Sequence, residues 1–88
     1  MELKCFEDVR NHMRGFEDHP VKWFFENCLN GLVYEYETKL GTLKRLFDRD
    51  DISHFEFVGF QLDAEDCAKT KCLRLIDKIK EFRKAMAL

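Results

Sequence analysis

The sequence predicts an α+β fold: a three-stranded antiparallel sheet packed against helices in the order α-β-β-β-α, with an extra N-terminal helix. Two patterns carry that expectation. Toward both ends, apolar residues recur at three- and four-residue steps, the period of a helix with one buried face. In the middle, short runs rich in Val, Tyr and Phe suit half-buried strands. The chain has 88 residues, so it makes about one domain with a small core arranged in two layers.

Taken in order, Leu3, Phe6, Val9 and Met13 mark the first helix, and Gly15 is its stop. Residues 1–19 therefore read as a helical extension, and residues 20–88 as the main fold. Pro20 opens a second helix, with Val21, Phe24, Phe25, Cys28 and Leu29 on one broad face and Asn30-Gly31 as its end. The run Leu32-Val33-Tyr34-Glu35-Tyr36-Glu37-Thr38 alternates and reads as the first strand. A turn at Leu40-Gly41-Thr42 returns the chain as a second strand over residues 43–47, and Asp48-Arg49-Asp50-Asp51 is a polar turn. Residues 54–60 form the third strand. Asp63 or a neighbour then caps a long helix carrying Cys72, Leu75, Ile76, Ile79 and Phe82. A second reading stays open: Leu32, Val33, Tyr36, Leu40, Leu43 and Phe47 also keep a helical period, which would make residues 20–48 one long helix. Strands are preferred because Gly31 and Gly41 would each cost about 1 kcal/mol inside a helix.

Composition narrows the function. Fifteen Lys and Arg stand against seventeen acids, a net charge of −2, so no general attraction to nucleic acid is expected. No apolar run approaches the roughly 20 residues of a membrane span, and the start Met1-Glu2-Leu3-Lys4 lacks a signal-peptide core. Cys5, Cys28, Cys67 and Cys72 contain no Cys-x-x-Cys pair and are expected as reduced thiols in the cytoplasm or nucleus. No metal site is expected around His12, His19 or His54. No cofactor is expected either, and no catalytic set is legible, so the chain is not expected to be an enzyme.

Three short stretches bear a resemblance. Pro20-Val21-Lys22-Trp23-Phe24-Phe25-Glu26, Asn30-Gly31-Leu32-Val33-Tyr34-Glu35-Tyr36 and Phe57-Val58-Gly59 with Ala68-Lys69 and Cys72-Leu73 resemble, in order and spacing, the double-stranded-RNA-binding domain. The resemblance runs from about residue 20 to residue 82. It departs from the RNA-binding members at two contact points. The loop Lys39-Leu40-Gly41-Thr42 lacks Pro and His, and two positions of the lysine cluster fall on Glu65 and Asp66, leaving only Lys69 cationic. Anions where phosphates should dock repel them. The chain thus resembles the non-RNA-binding type, such as the C-terminal domain of Dicer partner proteins. That resemblance implies homodimerisation, docking to Dicer or a related partner, and a role in RNA interference.

The expected interface is the third strand, an edge with little protection against pairing. There Val58 and Phe60 share one face with His54 and Glu56, while Phe55 and Phe57 point to the core; Trp23 is a further partner contact. Two other functions remain open. One is true duplex-RNA binding through Lys22, Lys39, Lys44 and Lys69; the other is an all-helical adaptor or inhibitor.

Overall fold

The computed structural model describes residues 3–86. Three helices account for 83% of them, and the described residues contain no strand. They are α1 (Lys4–His12), α2 (Pro20–Asp48) and α3 (His54–Ala85). The second and third run antiparallel as a long hairpin, and α1 lies along the half of it nearest the chain ends.

Each helix boundary has a local cause. At the end of α1, Gly15 takes a φ of 98°, a left-handed conformation that glycine adopts without strain. The carbonyls left open there are met from the far end of the chain. Arg83 donates from Nη2 to the backbone oxygens of His12 (2.8 Å) and Arg14 (2.9 Å). Its guanidinium also lies 4.6 Å from the centre of the Phe16 ring. Pro20 begins α2, and the His19 ring accepts a hydrogen bond from the Val21 amide at 3.0 Å. The helix ends where the amide of Asp50 donates to Phe47 and that of Asp51 to Leu46. Asp50 sits at φ 60° between them, so the two bonds form the paired closure common at helix C-termini. Ser53 then starts α3 through a reciprocal pair: its hydroxyl accepts from the Glu56 amide (3.1 Å), and the Glu56 carboxylate accepts from the Ser53 amide (3.0 Å).

The core is built from Phe6, Val9, Met13 and Phe16 before α2, Phe25, Leu29 and Tyr36 on α2, and Ala64, Ala68, Cys72, Leu75, Ile76 and Ile79 on α3. Ring edges lock the layers: Phe6 meets Tyr36 at 5.9 Å, and Phe16 and Phe25 both meet Phe82, at 5.6 and 6.0 Å. Residues 4–16 thus belong to the same core as the hairpin.

The expected α+β fold is overturned, and all three strands lie inside helices. Residues 32–38 and 43–47 belong to α2, and residues 54–60 open α3. The side chains show why. A strand would place Tyr34 and Tyr36 on one face, yet Tyr36 is 6% exposed and Tyr34 73%. Phe55, expected in the core beside Phe57, is 87% exposed, whereas Phe57 is half-buried. The order of elements that carried the resemblance to the double-stranded-RNA-binding domain is therefore not the order of this chain. Gly31 and Gly41 do cost about 1 kcal/mol each within α2. Burying the Tyr36 ring against Phe6, which requires the helix to continue past Gly31, works against that cost.

A Cβ built at Gly31, Gly41 or Gly59 meets nothing within 4 Å, and none of the three has a positive φ. Gly31→Ala should therefore stabilise the fold by about 1 kcal/mol, raising the melting midpoint by roughly 4–8 °C. A left-handed helix end at Gly31 predicts the opposite sign, so a thermal melt followed by circular dichroism separates the two structures.

Candidate functional site: the open half of the hairpin

Phe6 is the first core residue of α1, and its ring lies against Tyr36. On α2, Tyr36 is the last buried residue before the hairpin turn; on α3, Ala64 is the first after it. No residue from 37 to 63 is buried. Yet this stretch holds Leu40, Leu43, Leu46, Phe47, Ile52, Phe55, Phe57, Val58, Phe60 and Leu62. Two helices meeting in a single seam leave such side chains half open to water, and here no third helix closes them.

Rings tie the end of the hairpin together, with Phe47 5.1 Å from Phe57 and 5.9 Å from His54. Below them the seam opens into a groove on each side. The groove on the α1 side, about 440 Å³, is lined by Leu3, Leu40, Gly41, Lys44, Phe57 and Gln61 among others. The groove on the other side, about 400 Å³, runs between Thr38, Lys39, Thr42 and Leu43 of α2 and Phe60, Asp63 and Ala64 of α3.

Charge divides between the two helices. From residue 38 to 49, α2 and its cap carry Lys39, Lys44, Arg45 and Arg49 against one acid, Asp48. From residue 54 to 68, α3 carries Glu56, Asp63, Glu65 and Asp66 and no Lys or Arg. Further down, a polar clamp joins the helices: Glu35 accepts from Lys71 at 2.6 Å and pairs with Lys39 at 3.2 Å. Lys39 also donates to the Cys67 sulfur at 3.8 Å. The Lys71 hydrogen bond, then that of Lys39, holds the Glu35 carboxyl below its ordinary range, and the same bond raises Lys71.

The residues singled out from the sequence scatter. Val58 and Phe60 are exposed, at 40% and 45%, but two residues on a helix turn them through about 200°, so they do not share a face. Phe60 lines a groove; His54 lies against Phe47 in the first turn of α3; Glu56 is spent on the Ser53 cap, which holds its carboxyl low. Trp23, 71% exposed, sits in the first turn of α2 at the other end of the hairpin, next to exposed Phe24. Glu65 and Asp66 are not at a helix start, because α3 begins at His54. Glu65 is half-buried on the α1-side groove, while Asp66 and Lys69 are exposed. Of the lysines considered for RNA, Lys22 pairs with Glu26 (3.4 Å) and Lys39 with Glu35, and Lys39 and Lys44 line opposite grooves. They form no single stripe. The Ser53–Glu56 spacing is the signal that sequence reasoning missed, since Ser-x-x-Glu ahead of apolar residues marks a helix start.

All four cysteines are free thiols, and Cys72 is fully buried. Burial first, then neighbouring Cys5, pushes the Cys72 thiol up to about 12, which leaves it unreactive. Among the described residues no group of three His, Cys, Asp or Glu could hold a metal ion, and no helix is long and apolar enough to cross a membrane. No protein-family model, no curated protein and no solved structure matches the chain.

The low-lying carboxyls fix a pH dependence. Glu17, held low by the Gly15 amide, joins Glu35 and Glu56 below the ordinary value of 4.5. A carboxyl whose folded value is depressed contributes stability above its unfolded value and loses it as pH falls through the folded one. The melting midpoint should hold near neutrality and fall progressively below about pH 4.5. Glu35→Gln should make that fall shallower; a midpoint that rises on acidification would contradict the assignment.

Proposed function

We propose that the chain is a protein-interaction module, an all-helical adaptor whose open hairpin half takes up a helix from a binding partner. The observation that carries this reading is the run of ten apolar side chains between residues 37 and 63, none of them buried. A seam of this kind, edged by charges, has the form of a helix-in-groove receptor, in which apolar anchors at three- and four-residue steps enter the groove. Five of them, Phe47, Phe55, Val58, Phe60 and Leu62, are exposed and the other five half-buried, and clustered exposed apolar side chains mark contact sites in folded proteins. Self-association belongs to the same reading. Docking to Dicer and a place in RNA interference rested on the resemblance alone, and the groove adds no support for them. The division of the lysines between two faces, with two of them paired to carboxylates, favours a protein over duplex RNA as the ligand.

The test is calorimetric titration of the chain with a synthetic amphipathic helix bearing leucines on one face, alongside sedimentation of the chain alone. Binding of the peptide, self-association, or both is expected. Leu43→Glu, at a half-buried groove position, should weaken either by tenfold or more while circular dichroism keeps its helical signal. A chain that stays monomeric and binds no helix overturns the proposal, as would a salt-sensitive shift with duplex RNA that Lys69→Glu abolishes.

A further inference from the structure

Resting on that reading, we infer that the occupant is a second copy of this chain, docked through the groove that faces away from α1. The two hairpins lie face to face with their turns at the same end, related by a two-fold axis along the hairpin. In that arrangement α2 of each copy lies on α3 of the other, and the four helices form an all-antiparallel bundle with both α1 helices outside it.

Surface area gives the first reason. The chain exposes 6492 Å², whereas a compact protein of its 10.6 kDa exposes about 5,500 Å². The excess, about 1,000 Å², is close to the roughly 800 Å² that one partner contributes to a standard interface. Shape agrees: the radius of gyration is 16.0 Å, against about 12 Å for a compact chain of this length.

Charge supplies the second reason and fixes the orientation. A two-fold axis along the hairpin keeps every residue at its own height and exchanges left for right. Side chains that oppose each other across the groove in one chain therefore lie over each other between two copies, as an isologous interface requires. Lys39 comes over the partner's Asp63, and Leu43 over the partner's Phe60, each contact occurring twice. Thr38, Thr42 and Ala64, the small residues of the same groove, allow the helices to approach. Lys39 and Asp63 are the charged side chains that line this groove, and the arrangement brings them together twice; Lys44 and Glu65 line the opposite one. Turning one copy end for end would instead set α2 on α2 and α3 on α3, which takes Lys39 away from the partner's Asp63. The groove on the α1 side is excluded, because α1 of each copy would stand between the hairpins.

Sedimentation equilibrium of the full chain and single-residue variants tests this. Wild type should be a dimer at tens of micromolar. Phe60→Lys should make it monomeric with unchanged helix content, whereas Val58→Lys, on another face, should leave the dimer intact. Lys39→Glu and Asp63→Lys should each weaken dimerisation about tenfold, about 1.4 kcal/mol, and the double variant should recover most of that loss. A wild type that stays monomeric but binds the amphipathic peptide overturns the second-copy inference and leaves the interaction module standing. Failure to bind either overturns both. A dimer broken by Val58→Lys and not by Phe60→Lys, or one that the double charge reversal does not restore, overturns the proposed face and orientation.

Discussion

Two helices side by side cannot bury their own seam, and the rest of this structure follows from where a third helix is supplied. Nine residues of α1 lie along a hairpin whose helices have 29 and 32 residues. At about 1.5 Å per residue, α1 closes no more than a third of the hairpin's length. Where it lies, Phe6 and Val9 are almost completely inaccessible and Cys72 and Ile79 reach zero exposure. Where it stops, burial stops with it, at Tyr36 on one helix and Ala64 on the other. The boundary between the buried core and the half left open to water is thus set by how far one short helix reaches.

A nine-residue helix is too short to persist on its own, so α1 depends on what holds it. Its apolar face supplies most of that. Arg83 supplies the rest by reaching across from the last turns of α3 to the carbonyls that α1 leaves open and to the Phe16 ring. The contact spans about 70 residues of sequence, so the two ends of the chain are fastened together at the end of the hairpin away from its turn. A partner docked at the turn end, as proposed, would meet a scaffold whose other end is already fixed, which lowers the ordering cost of binding.

What the sequence revealed follows the same division. In the covered half, the steps Leu3, Phe6, Val9 and Met13, the stop at Gly15, the start at Pro20 and the face Cys72, Leu75, Ile76 and Ile79 all correspond to the structure. There, helical period and side-chain burial coincide. The turn at residues 48–51 was legible as well, because polar residues able to take a left-handed conformation gather there, as Asp50 does. The misread stretch, residues 31–62, is nearly coextensive with the open half. Without a third helix, α2 and α3 need apolar residues only along a narrow seam, and further apolar residues appear on surfaces open to water. Tyr34, Phe55 and Val58 fill the gaps between seam residues, so the pattern imitates the alternation of a strand. Gly31 and Gly41 strengthened that impression, although neither takes a positive φ and a Cβ at either would meet nothing within 4 Å. The cap at Ser53 and Glu56 outranks both signals, since it satisfies two backbone groups at a defined spacing.

The acids at 65 and 66 change meaning with the fold. Against a sheet they stood at the head of the last helix, where a phosphate clamp would lie; within α3, Glu65 lines the α1-side groove with Lys44 and Asp66 is exposed. Surface ion pairs contribute only about 0–1 kcal/mol each, so a single chain would gain little stability from sorting its charges between two helices. Sorting matters far more when two surfaces must choose a register, because like charges brought together cost several kcal/mol and exclude the wrong alignment. In the proposed dimer the apolar seam would accept any helix of suitable width, and the charges beside it, Lys39 and Asp63, would select which one and in which direction.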